Sequence, residues 1–362
     1  MSMRCLKEFI VYRDEAFYSS FPSVVVRPDG NLLVAFRRAP ERRLRPGGRV
    51  THADPNSQLV LVASEDGGET WETRPRLILA HPAAGCQDPC LTQLADGTLL
   101  CTTFLWQLLP AHTPEGPGVR REPNGWPLVN LGVQVVRSLD GGMTWSEPVP
   151  IAPLPGCKEH LPGVPNRGAC RGRVVELPDG TLLLPVYTAR APDRTSQAML
   201  CVSHDRGESW HYLSTIAQDR EVHFHEPHVY RTPSGALVAF LRTAGLEGYL
   251  AVCRSEDEGL TFSPWRKTTV WGHPFCTAQT PDGQVLLVYG YRREPFGIRA
   301  RLLDPECEKV DQAEEIVLRD DGGNSDLGYP WPVCLPNGQM LVVYYFNQND
   351  GTRYIAGTIL SL

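Results

Sequence analysis

A chain of 362 residues with 42% hydrophobic and 21% charged residues has the balance of a globular protein able to bury a large core. Its net charge of −6 excludes recognition of nucleic acid or of an anionic membrane through bulk positive charge. Eleven scattered cysteines, without a CxxC pair or zinc-like spacing, read as reduced thiols, and no run reaches the roughly 18 apolar residues of a membrane helix.

The N-terminal MSMRCLKEFIVY has neither an apolar signal core nor a cleavage site, which points to a cytoplasmic protein. Next comes FPSVVVRPDGNLLVAFRR, two apolar runs around a Pro-Asp-Gly turn, then SQLVLVA (57–63) and the turn SEDGGETW (64–71). The same order recurs. DPCLTQLADGTLLCTTFLW is followed by LGVQVV (131–136) and SLDGGMTW (138–145). RGRVVELPDGTLLLPVYTA leads to SHDRGESW (203–210), and EPHVYRTPSGALVAFLRT to SEDEGLTF (255–262), with Phe in place of Trp. PFCTAQTPDGQVLLVYGYR is followed by a degenerate second turn near RLLDPECE (301–308), and YPWPVCLPNGQMLVVYYF by NDGTRYIAG (349–357) in the same role.

Each hairpin needs a residue at positive φ, which Gly30, Gly97, Gly180, Gly235, Gly283 and Gly338 supply. The flanking runs are rich in β-branched and aromatic residues, as strands are. Successive turn glycines lie 48 to 83 residues apart. Four strands and two turns at that spacing predict an all-β, six-bladed propeller of four-stranded antiparallel blades over 1–362 as one domain. LKEFIVY (6–12) is expected to supply the last strand of blade 6 and so close the ring.

In such meanders both kinds of turn share one face, and the starts of the first strands share the other with the ends of the second. Nine residues before the turn glycines stand Phe21, Asp88, Arg171, Glu226, Pro274 and Tyr329; seven after them stand Arg37, Phe104, Tyr187, Arg242, Gly290 and Tyr345. Charged and phenolic groups at the ends of apolar strands need partners or a ligand. They are read as converging on an axial pocket, walled by the long loops 38–57, 110–127 and 153–169. The SxDxGx[ST]W turns are read as architecture: the Asp accepts backbone N–H groups and the ring packs on the neighbouring blade. Strict alternation in VHFHEPHVY (222–230) puts Glu226 and His228 on one side and His225 on the other. His225 is read as a hydrogen-bonding or base-tuning neighbour of Glu226, and no metal is expected. Asp88 and Arg171 are read either as contacts to substrate hydroxyls or as a pair fixing the central strands, and Trp106 and Trp126 as a sugar platform or as packing.

The repeated S-x-D-x-G-x-[ST]-W motif resembles the Asp-box, or BNR repeat, of sialidases, and the likeness runs through six blade units and four boxes. The resemblance implies an exo-acting retaining glycoside hydrolase. Glu226 stands where sialidases carry the Glu of blade 4, and Tyr329, in LGYPWPVCLPNG, where they carry the nucleophilic Tyr of blade 6. Asp54, in THADPNSQLVLVASEDGG, stands at the place of the catalytic acid, and Arg242 matches one of three arginines that clamp the substrate carboxylate. The departure is in blade 1, where SSFPSV puts Ser20 at the place of a clamping Arg; Arg37 or Arg38 are the candidate replacements. Arg292, Arg293 and Arg299 compete for the third place. The expected substrate-binding set is therefore Arg37, Arg38, Asp88, Arg171, Arg242, Arg292, Arg299 and His225, with Tyr329, Glu226 and Asp54 catalytic. The expected substrate is a terminal acidic sugar, sialic-acid-like or another ulosonic or uronic acid, with a neutral sugar fitting the same catalytic set; no cofactor is expected. A non-catalytic carbohydrate-binding propeller and a polysaccharide lyase are the alternative readings.

Overall fold

Each of the six turns folds its flanking runs into a hairpin in the computed structural model, which describes residues 3–45, 48–49, 52–115, 118–122, 125–157, 159–189 and 195–361. The turn glycines take φ between 82° and 96°. The Gly30 N–H donates to the Arg27 carbonyl at 2.9 Å while Arg27 N–H donates to Asn31 at 2.8 Å, and the other five turns close in the same way. The strands then assemble into six antiparallel sheets. Blade 1 comprises Phe17–Val26, Leu32–Pro40, Gln58–Ser64 and Arg76–Leu79. Blades 2, 4, 5 and 6 begin with Ala84–Gln93, His223–Arg231, Phe275–Gln279 and Gly328–Cys334. First strands of successive blades pack on one another around the axis. Their inward and outward side chains form the apolar layers between blades, and the largest cluster joins the first blade to the last.

The ring closes as expected: Arg4–Tyr12 pairs antiparallel with Tyr354–Ser361 as the outermost strand of blade 6. Two expectations need correction. Residues 349–353 are not a second turn but the link between the second strand, Met340–Phe346, and the third, Tyr354–Ser361. The fourth strand of blade 6 is Arg4–Tyr12, from the other end of the chain, so no turn of the second kind joins it to the third. In blade 3 the segment RGRVVELPDG makes only the two-residue strand Val175–Glu176, with one isolated bridge between Ala169 and Tyr187. Arg171 leaves the ladder to reach the axis.

The eight-residue turns are hydrogen-bonded knots. Asp66 accepts from Ser64 Oγ (2.8 Å), Thr70 N (2.9 Å) and Thr70 Oγ1 (2.5 Å), and Ser64 Oγ accepts from Gly68 N at 2.8 Å. Asp140, Asp205 and Asp257 repeat the pattern. The Thr70 hydroxyl and backbone hold Asp66 well below the usual carboxylate range. The glycines of the boxes bring each turn against the preceding blade: Gly142 of blade 2 lies against Leu33 and Leu61 of blade 1, and Gly207 of blade 3 against Leu100 of blade 2. Trp71 stacks on Phe9 of the closing strand, with ring centroids 6.2 Å apart. The boxes thus stitch blade to blade on the face away from the pocket. No helix is long and apolar enough to cross a membrane among the described residues, and all eleven cysteines are free.

Candidate active site

Four first strands start with the same device. Phe21, Asp88, Glu226 and Tyr329 each precede a proline, each has φ between 38° and 56°, and each lies where the strand register shifts. Proline has no N–H for the ladder, so the strand bulges there and re-aims its side chain. A non-glycine residue in the left-handed region costs on the order of 1–3 kcal/mol and persists only where its surroundings fix it. Arg171 does part of that fixing. It is 3% exposed and donates to the carbonyls of Phe21 (3.4 Å), Pro22 (2.8 Å) and Tyr329 (2.9 Å), locking two of the bulges from behind the cavity.

The four residues line a cavity of about 450 Å³. Its floor carries a compact polar cluster. The Tyr329 hydroxyl donates a short hydrogen bond to Glu226 Oε1. Arg242 Nη1 donates to Glu226 Oε2 at 2.7 Å and lies 3.4 Å from the Tyr329 oxygen. Burial opposes ionisation of Glu226, but the charge and hydrogen bond of Arg242, with the Tyr329 hydroxyl, outweigh it and hold the carboxyl at about 2. Tyr329 is pushed well above its ordinary value by burial, then by Glu226 and Asp88; Arg242 and Arg292 pull the other way. Asp88 is 2% exposed, its Oδ1 has no hydrogen-bond partner, and burial followed by the charge of Glu226 raises its carboxyl far above the usual range. The charge of Arg171 acts the other way, and the carboxyl faces the cavity with Oδ1 unpartnered. His225 shares the wall, with Nε2 2.9 Å from Ser196 Oγ. Burial, then Arg242, lowers it to about 4, so it is a neutral imidazole at neutral pH.

Each long loop reaches the cavity: 38–57 through His52, 110–127 through Gly118, Val119 and Arg120, and 153–169 through His160 and Ala169. The parts of these loops at 46–47, 50–51, 116–117, 123–124 and 158 lie outside the described residues. Trp106 lines the cavity with the Arg120 guanidinium 5.4 Å from its ring. Trp126 instead carries the Arg42 cation at 5.2 Å.

Several expected residues stand elsewhere. Asp54 is 1% exposed and does not line the cavity; both its oxygens accept from Arg42, at 2.7 and 2.9 Å, and Oδ1 also accepts from Asn56 N. Arg37 is fully buried behind Phe21, and its three guanidinium nitrogens lack hydrogen-bond partners; the Tyr18 and Phe21 rings lie 5.5 and 5.9 Å away. Arg38 points to the opposite side of the strand, onto Phe17 and Asp14. Of the three competing arginines, Arg292 comes nearest the cluster, 5.5 Å from the Tyr329 ring, and donates to Tyr345 Oη at 3.1 Å. Arg293 is exposed on Trp271. Arg299 is 3% exposed and spends its donors on blade 5 carbonyls, so it is a strut rather than a contact. The expected alternation also fails: the bulge between His225 and His228 turns both His225 and Glu226 inward and leaves His228 in the core against Thr277. The sequence reading passed over His52, Arg120, Asn130 and His160 on the walls, and Asp326 behind His52. The available signal was THADP, which sets His52 two residues from Asp54, and NSDLGYP, which sets Asp326 three before Tyr329.

The fold and site define a six-bladed Asp-box propeller with a Tyr–Glu–Arg cluster at the axial cavity. The chain belongs to the BNR repeat-like domain family, whose model matches residues 118–343. It is 42% identical to a protein of unknown function from Dyadobacter fermentans, over 99% of both chains and with a TM-score of 0.93. Its fold is also similar to that of Hadza microbial sialidase Hz136, at 20% identity, 97% of this chain, 68% of that one and a TM-score of 0.67. For the Trypanosoma rangeli sialidase the values are 14%, 97%, 58% and 0.69. None of the curated proteins matches in sequence.

Proposed function

We propose that the protein is an exo-acting retaining glycoside hydrolase of the sialidase type, acting on a terminal acidic sugar. The observation that carries this reading is the Tyr329–Glu226–Arg242 cluster on the floor of the cavity. A sugar with a carboxylate at its reacting carbon repels a carboxylate nucleophile by about 4 kcal/mol at 4 Å and an effective dielectric of 20, roughly a thousandfold in rate. A neutral phenol avoids that repulsion, but it needs a base. Glu226 already accepts the hydrogen bond of the phenol. Its low basicity comes chiefly from Arg242, which outweighs burial. A substrate carboxylate on Arg242 would share that cation, make Glu226 more basic and so activate the phenol as the sugar arrives. Arg292 beside the Tyr329 ring favours the same anionic class, whereas Arg120 on the wall is already paired with Glu122 at 2.7 Å. Asp88, with its Oδ1 unpartnered, can meet a sugar hydroxyl, and Trp106 supplies a flat apolar face.

The test is hydrolysis of 4-methylumbelliferyl α-ketosides of N-acetylneuraminic acid and of other nonulosonic acids, with 4-methylumbelliferyl uronides beside them. Turnover of at least one, abolished by Tyr329→Phe, is the expected result; no turnover of any, or turnover that survives Tyr329→Phe, defeats the reading. A second reading, sugar binding without turnover, is favoured by one observation: Phe21 stands at the blade 1 position and walls Arg37 off from the cavity. Saturable binding without product would support it, and an unsaturated, ultraviolet-absorbing product would instead indicate a lyase.

A further inference from the structure

We infer that His52, held by Asp326, is the proton donor to the leaving group, in place of Asp54; the inference rests on the glycosidase reading. In an exo-acting site the sugar fills the floor and the leaving oxygen faces the mouth, so its proton donor belongs on an open wall. Asp88 and Glu226 are floor groups, 2% and 4% exposed. Asp54 is committed to its own loop: Arg42 occupies both its oxygens, and the Trp126 ring backs Arg42.

His52 meets the requirement. It lines the cavity, its side chain is 40% exposed, and its Nε2 lies 3.1 Å from Asp326 Oδ1. Asp326 is itself fixed. It accepts from Tyr18 (2.9 Å), Tyr345 (3.0 Å) and Arg353 (2.9 Å), and despite burial these partners and His52 keep it ionised. A carboxylate on one ring nitrogen orients an imidazole and leaves the other nitrogen, Nδ1, to serve the substrate. The groups that face His52 are Asp326 from the segment before blade 6, and Tyr18 and Phe21 from blade 1, with ring centroids 6.4 and 5.8 Å away. Tyr345 and Arg353 reach it through Asp326. Phe21 touches both His52 and Tyr329, its centroid 4.6 Å from the latter, so a single ring separates donor from nucleophile.

The step balances within the site. The Tyr329 oxygen bonds to the anomeric carbon and gives its proton to Glu226; the glycosidic C–O bond breaks, and its oxygen takes the proton of His52. In the second half-reaction water attacks the same carbon and gives a proton to neutral His52, the bond to Tyr329 breaks, and Glu226 returns the phenol proton.

A donor of this kind matters only when the leaving group is poor. The experiment compares the methyl and 4-methylumbelliferyl α-ketosides of the sugar that the wild type cleaves, using wild type, His52→Gln and Asp54→Asn. His52→Gln is expected to lose about 10²–10⁴-fold in kcat/KM on the methyl ketoside and less than about tenfold on the aryl one. Asp54→Asn should leave the ratio between the two substrates at the wild-type value. Equal losses on both substrates in His52→Gln, or a changed ratio in Asp54→Asn alone, overturns the assignment while leaving the glycosidase reading intact. A wild type inert on every glycoside ends both. Because His52 is half exposed, the variant is expected to melt within a few degrees of the wild type. Should it not, Asp326→Asn provides the second test, since it must reproduce the leaving-group selectivity.

Discussion

Replacing Arg242 by Met tests the electrostatics on which the floor cluster depends. Glu226 is 4% exposed, and its carboxyl is held at about 2 against an ordinary 4.5. At about 1.4 kcal/mol per tenfold, that difference corresponds to roughly 3 kcal/mol, and it is net of a burial effect that acts the other way. R242M removes the cation and leaves a buried carboxylate with the Tyr329 hydroxyl beside it. Breaking a buried pair from one side costs about 3–5 kcal/mol, and that is the expected loss of stability at pH 7. The sign with pH follows from the direction of the shift. In the wild type the folded value lies below the unfolded one, so the contribution is complete above about pH 5 and disappears as pH falls through 2. In R242M only the Tyr329 hydrogen bond is left to oppose burial, so Glu226 rises well above its wild-type value, and its charge costs stability at pH 7 but not at low pH. The gap between the two proteins should therefore be widest at neutral pH and less than half as large at pH 3. Urea unfolding of both proteins at pH 7, 5 and 3 measures it. A gap independent of pH, or one under about 1 kcal/mol at pH 7, refutes the reasoning.

Three further outcomes are expected. Asp88→Asn replaces a carboxyl whose value burial and Glu226 raise, so its ionisation opposes folding as pH rises; thermal melts should show the variant more stable than wild type at pH 8 and equal to it near pH 4. Asp205→Ala removes the acceptor of the Ser203 and Ser209 bonds of one Asp-box, and calorimetry should show a melting temperature lower by several degrees, with kcat on any cleaved substrate unchanged. Deleting residues up to Tyr12 removes the strand paired with Tyr354–Ser361, the Phe9–Trp71 stack and the Glu8–Arg319 pair at 3.1 Å; circular dichroism and size-exclusion chromatography should find an unfolded or aggregated chain.

The propeller was legible because its turns are local. A Pro-Asp-Gly hairpin and a Ser-Asp-Gly-Trp knot each fix their geometry within eight residues, and repetition counts the blades. Counting from the turn glycines also located Asp88, Glu226, Tyr329 and Arg242, since equivalent strands carry equivalent positions into the cavity. What failed was non-local. Alternation misplaced His225 and His228 because the bulge before Pro227 interrupts the pleat, although the proline after Phe21, Asp88, Glu226 and Tyr329 was a visible sign of it. Arg171 was drawn from its strand by carbonyls of two distant blades. Asp54 was claimed by Arg42, twelve residues away, through a loop whose course no periodicity encodes, and Arg38 and Arg299 found partners on their own blades. His52 and Asp326 lie 274 residues apart, and only closure of the ring brings them together.

The most direct measurement of the central claim is intact and peptide mass spectrometry after incubation with a 2,3-difluoro derivative of the sugar that the protein cleaves. Fluorine at carbon 3 slows breakdown of a glycosyl-enzyme and lets it accumulate. If Tyr329, with its proton on Glu226, is the nucleophile, one fluoroglycosyl group should appear on the peptide containing Tyr329 and be absent from Tyr329→Phe. No adduct under conditions of turnover, or an adduct on Glu226 or any other residue, would contradict the account.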